Sequence, residues 1–227
     1  MFVKLLADAL LYGIVDLGYV NEAEVQRVAE EMIRGGVDVL QLRAKERSEQ
    51  DVELLGRILV EVTRTAGIPL IINDYPQLVA SVGAQGVHVG QDDCSIAHAR
   101  ECAFRGGFGE STAALVGKST HSVAQALAAA GDGADYIGFG PLFATPTKPG
   151  RAAIGLADIQ RVHQEVHLPV FCIGGIKREN LEKVLEAGAR RVVIVSGILR
   201  APDIASYCRD VKTRLLEIAD CGSSAAR

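Results

Sequence analysis

Residues 170–197 read VFCIGGIKRENLEKVLEAGARRVVIVSG. A short apolar run, Val170–Gly174, meets a glycine pair and then an amphipathic stretch, Arg178–Ala187. Gly188 ends that stretch, and a second β-branched run, Arg191–Ser196, closes the unit. Runs this short, apolar and bounded by glycine are strands buried on both faces, and the segment between them has helical spacing. The unit is therefore a strand, a crossover helix and a parallel strand. It repeats through the rest of the chain. Working outward, strand runs fall at Leu11–Asp16, Val37–Arg43, Pro69–Asn73, Gly86–Gly90, Ala114–Ser119 and Asp135–Gly140. With the two already quoted there are eight. Helical patterns lie between them, at Glu22–Arg34, Asp51–Ala66 and Ser122–Ala130 among others.

Local signals mark the ends of these helices. Asn21 precedes an acidic turn as an N-cap would, and Ser122 with Gln125 has capping-box spacing. Gly35-Gly36, Gly67, Gly131 and Gly188 follow helical runs, where a left-handed C-cap is expected. A weak repeat recurs where helix passes into strand: Gly36-Val37-Asp38, Gly83-Ala84-Gln85, Gly133-Ala134-Asp135 and Gly188-Ala189-Arg190. Eight alternating βα units predict a single α/β domain, a (β/α)8 TIM barrel over residues 1–218. Residues 219–227 are expected to be a disordered tail.

Composition narrows the function. The 227 residues carry a net charge of -4, so no global basic field attracts nucleic acid or an anionic membrane. Trp is absent and aromatics are sparse, which predicts a core of Val, Ile, Leu and Ala. The five cysteines form no CxxC pair and are read as reduced thiols of a cytoplasmic protein. Phe2–Leu11 is apolar but short, is interrupted by Lys4 and Asp8, and is not read as a leader. The expected partners are phosphorylated small molecules, with neither nucleic acid nor membrane; a homo-oligomer is left open.

In such a barrel the chemistry sits on the loops that follow the strands. Gly174-Gly175 and Ser196-Gly197, after strands 7 and 8, can cradle a phosphate with exposed N–H groups, or can simply permit tight turns. Asp74 and Asp93 follow neighbouring strands 3 and 4 and can converge on Mg²⁺ completed by substrate oxygens. They read equally well as a helix cap and a solvated loop charge. Arg43, Lys45 and Lys148, with Gln41, Asn73 and Ser119, bring cations and donors to the same mouth. Two anion sites in one cavity follow, the second suited to a metal-assisted pyrophosphate. Pro146, Pro149 and Gly150 suit a lid over Thr145–Arg151.

Taken in order, Gln41-Leu42-Arg43-Ala44-Lys45, Asn73-Asp74, residues 86–93 (GVHVGQDD), Ser119-Thr120-His121, Gly138-Phe139-Gly140-Pro141 with Thr145-Pro146-Thr147-Lys148, and Ile173-Gly174-Gly175-Ile176 resemble the thiamine-phosphate synthase family, from Tyr12 to about Leu216. The resemblance implies joining of a hydroxymethylpyrimidine diphosphate to a thiazole phosphate, releasing pyrophosphate and forming thiamine monophosphate, by Mg²⁺-assisted dissociative displacement. It implies a diphosphate site of Gln41, Leu42, Arg43, Ala44, Lys45, Asn73, Ser119 and Lys148. Of these, Arg43, Lys45, Ser119 and Lys148 are implied as catalytic. Asp74 and Asp93 match the magnesium ligands, and Thr145, Pro146, Thr147, Gly175, Val195 and Ser196 match the thiazole-phosphate site. Gly197 and Lys118 depart from the commoner family residues. Two other readings are a thiazole tautomerase using His121 and a non-catalytic phosphate-binding regulatory barrel. His88 reads as a barrel-core histidine, satisfied by its neighbours.

Overall fold

A computed structural model describes residues 6–104, 114–145 and 152–224. Eight parallel strands close a barrel in sequence order, β1 to β8, with β8 pairing back to β1. They span β1 Leu11–Asp16, β2 Val39–Arg43, β3 Leu70–Asn73, β4 Gly86–Val89, β5 Leu115–Thr120, β6 Tyr136–Phe139, β7 Val170–Ile173 and β8 Val192–Ile194. Helices follow: α1 Val25–Arg34, α2 Glu49–Ala66, α3 Val79–Val82, α4 Ile96–Phe104, α5 Val123–Gly131, α6 Ile159–Glu165, α7 Arg178–Glu186, the short α8 Ser196–Leu199, and α9 Ile204–Ser224. The last helix therefore runs past residue 218. No described helix is long and apolar enough to cross a membrane.

The expected starts and stops hold in part. Ser122 caps α5 by accepting from the Gln125 N–H at 3.2 Å, while the Gln125 side chain accepts from the His121 N–H at 2.8 Å. Asn21 occupies an N-cap in extended conformation but makes no side-chain cap bond, and a 3-10 turn, Glu22–Glu24, intervenes before α1. After α5 the left-handed residue is Gly133, not Gly131, which is the last residue of the helix itself.

The recurring glycine triplets acquire a physical meaning. In three of them the third residue accepts N–H groups from the start of the preceding strand. Asp38 takes Leu10 and Leu11 at 2.8 and 2.9 Å, Gln85 takes Leu70 at 2.9 Å, and Asp135 takes Val116 at 2.8 Å. Lys212 on α9 pairs with Asp38, and Arg100 on α4 with Asp135 at 2.8 Å. These clamps sit at the N-terminal end of the barrel, the end that carries stability rather than chemistry.

Strand side chains alternate between two layers, because successive residues point to opposite faces. One set, including Leu11, Leu40, Leu42, Ile72, Val116, Ile137 and Cys172, packs against the helices and is aliphatic as composition predicts. The other fills the barrel, where Ile14, Val39, Ile71, Leu115 and Val193 are aliphatic as composition predicts but three aromatics join them. Tyr12, Tyr136 and Phe171 meet there, with ring centroids 5.3–5.9 Å apart. Few aromatics suffice because the barrel axis has room for only a few large side chains.

Candidate active site

The inward set, followed toward the C-terminal ends of the strands, turns polar. Gln41, Asn73, His88 and Ser119 line a cavity of about 60 Å³. A second lobe, of about 50 Å³, is bounded by Gly174, Gly175, Val195 and Ser196. Ser119 lines both lobes and stands at their junction.

On the first side, Arg43 ends β2 with its guanidinium at 2.8 Å from Asp16. Asp16 is 1% exposed and also accepts the Gly18 N–H at 2.9 Å, so the turn after β1 holds the carboxylate that holds the arginine. Asp16 is a functional neighbour that sequence reasoning noticed at a strand end but gave no role. Lys45 reaches Asp74 at 3.2 Å. Leu42 and Ala44 are buried in the layer between strands and helices. Their side chains cannot reach the mouth, and any ligand contact there is through backbone. Their neighbours Gln41 and Arg43 face inward because of the same alternation.

Asp74 and Asp93 are brought together. Asp74 adopts a left-handed backbone, φ 68°, fixed by its N–H donating to the His88 carbonyl at 3.0 Å. Desolvation and the neighbouring Asp93 push its pKa up, against the pull of Lys45. Burial pushes Asp93 up too, but the Gly90 N–H, Asp74, Lys45 and Lys118 outweigh it and hold Asp93 below the usual carboxylate range. Neighbouring carboxylates whose pKa values move apart in this way repel each other in the absence of a cation. That fits a divalent oxygen-liganded ion that keeps further positions for substrate oxygens. Lys118, the departure on β5, donates to the Gly90 carbonyl at 2.6 Å and braces the loop carrying Asp93.

On the other side, Gly174 and Gly175 have φ of +99° and +67°. A Cβ on them would lie 2.4 Å from Pro141 and 2.7 Å from Phe143, so no other residue fits either backbone or space. Ser196 opens α8, whose first N–H groups have no partner within the helix. Thr145 borders this lobe. Pro146, Thr147 and Lys148, and with them most of the expected lid, lie outside the described residues. Gly197 has a local cause: a Cβ there would lie 2.6 Å from the Tyr207 hydroxyl. His121 donates Nδ1–H to the Gly140 carbonyl, tying the ends of β5 and β6. Sequence reasoning also gave no role to Tyr12 and Tyr136; their hydroxyls join the site from inside the barrel.

A closed parallel barrel with a two-lobed cavity and a carboxylate pair at the C-terminal ends of its strands has the architecture of the (β/α)8 enzymes, whose chemistry sits at that end. Residues 11–198 match the family model described as thiamine monophosphate synthase, and the chain belongs to that family. It is 43% identical over 203 residues to a thiamine-phosphate synthase of Thermus thermophilus, covering 89% of this chain and 94% of that one. It is 39% identical over 213 residues to that of Chloroflexus aurantiacus, covering 93% and 95%. The solved thiamine phosphate pyrophosphorylase of Pyrococcus furiosus superposes with a TM-score of 0.82 at 28% identity, covering 94% of this chain and 98% of that one.

Proposed function

We propose that the protein is a transferase that joins an aminopyrimidine carried on a diphosphate ester to a thiazole phosphate, forming thiamine monophosphate and releasing pyrophosphate. The observation that carries this reading is Ser119 at the junction of two lobes of one cavity, one lined by Gln41, Arg43 and Asn73, the other by the glycine pair Gly174-Gly175.

The residues divide the work. Arg43 and Lys45 face the diphosphate, and Gln41, Asn73 and Ser119 supply neutral polar groups around it. Asp74 and Asp93 would hold Mg²⁺, which when bound offsets negative charge on the diphosphate. As the C–O bond to the pyrimidine methylene breaks, charge grows on the leaving group. Arg43 and Ser119 stabilise it from positions set before the reaction, which is where such stabilisation is strongest. Gly175, Val195, Ser196 and Thr145 hold the thiazole phosphate, so the ring nitrogen is delivered to the methylene carbon and remote binding is converted into orientation. Lys148, Pro146 and Thr147 complete the two sites in this reading.

Mixing the protein with both substrates and Mg²⁺ should release pyrophosphate, with none from either substrate alone or in EDTA. No release from folded protein would overturn the reading. Isomerisation of a thiazole carboxylate phosphate would put the tautomerase in its place, with His121 as the residue to change.

A further inference from the structure

A chain of hydrogen bonds crosses the barrel beneath the site and joins five side chains from five strands. Gln41 Nε2 on β2 donates to the Tyr12 hydroxyl on β1 at 2.8 Å. The hydroxyls of Tyr12 and Tyr136 on β6 are 3.0 Å apart. Tyr136 meets Nδ1 of His88 on β4 at 3.2 Å, and His88 Nε2 meets Ser119 Oγ on β5 at 3.0 Å. The chain thus begins and ends on residues that face the diphosphate. It exists because Gly117 leaves room for it: a Cβ there would lie 2.1 Å from Tyr136 Cζ.

The chain has a direction. Both tyrosines are fully buried, and burial raises them far above the ordinary phenol range, so each keeps its single hydrogen. The Gln41 amide hydrogen points at the Tyr12 oxygen, so the Tyr12 hydrogen goes to Tyr136 and the Tyr136 hydrogen to His88 Nδ1. A neutral imidazole that accepts at Nδ1 carries its hydrogen on Nε2. That hydrogen is directed at Ser119 Oγ. In the opposite direction Ser119 would donate to the ring and turn lone pairs toward an anion.

We propose that His88 is a positioning residue, held as the Nε2–H tautomer by Gln41, Tyr12 and Tyr136, and that its bond to Ser119 Oγ makes the serine a donor to the leaving diphosphate. The catalytic half rests on the function proposed above; the tautomer does not.

The ligand-free full chain, with ¹⁵N-labelled histidine, reports the tautomer directly by NMR. Nδ1 unprotonated and Nε2 protonated in His88 is the expected result, and the Nδ1–H form overturns the proposal. Tyr136→Phe removes the donor to Nδ1 and should shift His88 toward Nδ1–H. It should also lower kcat about ten- to hundredfold, the loss of one hydrogen bond to a charged group, with KM little changed. In a Ser119→Ala background the same change should add nothing. An equal loss in both backgrounds marks a packing role and overturns the proposal. Full turnover in Ser119→Ala overturns its catalytic half. Absence of pyrophosphate release from the unaltered protein, with His88 in the Nε2–H form, refutes the function and leaves the directed chain standing.

Discussion

Replacing Asp16 with alanine removes a carboxylate that is 1% exposed and bonded to both Arg43 at 2.8 Å and the Gly18 N–H at 2.9 Å. Arg43 is itself only 14% exposed. Truncating one partner of a buried ion pair costs about 3–5 kcal/mol, because the remaining charge has lost its water and its counter-charge. Arg43 lies at the open end of the barrel, where solvent can partly return, so the lower figure applies, about 3 kcal/mol. For a chain of this length each kcal/mol moves the melting temperature by about 2–4 °C, giving a loss of about 6–12 °C. Asp16→Asn keeps an acceptor for Gly18 and should lose less. Thermal unfolding followed by circular dichroism, without ligand, measures both. Inorganic pyrophosphate should then raise the melting temperature of Asp16→Ala by more than that of the parent, since it supplies the anion Arg43 has lost. A melting temperature within about 2 °C of the parent would refute the claim that this pair is structurally important. Equal pyrophosphate shifts would refute the claim that Arg43 faces the diphosphate.

Asp93→Ala should cut the magnesium response of turnover by about tenfold or more, since it halves the carboxylate set; a magnesium titration matching the parent's removes Asp93 as a ligand. His163 has its pKa lowered from 6.5 to about 4 by burial and by Arg191 and Arg190, and its Nε2 is buried with no hydrogen-bond partner. The unfolded chain takes up that proton first as pH falls, so stability is level above about 6.5 and declines between 6.5 and 4, by up to about 3 kcal/mol. In His163→Gln, urea unfolding across that interval should lose this part of the decline; an unchanged slope shows that His163 does not cause it. Gly197→Ala should destabilise by about 1–3 kcal/mol through overlap with Tyr207, and Tyr207→Phe should recover part of the loss by removing the clashing oxygen. No recovery in the double variant would place the strain elsewhere.

The barrel was legible in the sequence because its signals are local. Strand runs of one period, helices of another and glycines at the junctions each occupy a few consecutive residues, and eight repeats leave little choice of topology. That Asn73, Asp74, Asp93, Ser119, Gly175 and Ser196 gather at one mouth was legible for the same reason: each lies at or just after the end of a strand, and the ends of strands share that mouth. Strand ends were read a residue or two long, as at Arg191–Ser196 against Val192–Ile194, because side-chain pattern continues past the last paired backbone group.

Closure of the barrel decided the rest. Which residues face inward depends on each strand's register against its neighbours, and so Leu42 and Ala44 turned to the helices while Gln41 and Arg43 turned to the cavity. Asp16 and Arg43 lie on adjacent strands in register, yet 27 positions apart in the chain. Tyr12 and Tyr136 are 124 positions apart and touch only across the barrel axis. The sequence by itself determined eight units and the end at which chemistry occurs. The hydrogen-bonded chain beneath Ser119, the meeting of Asp74 with Asp93 and the fit of Tyr207 against Gly197 arose only when the sheet met itself, because each joins side chains that no local pattern relates.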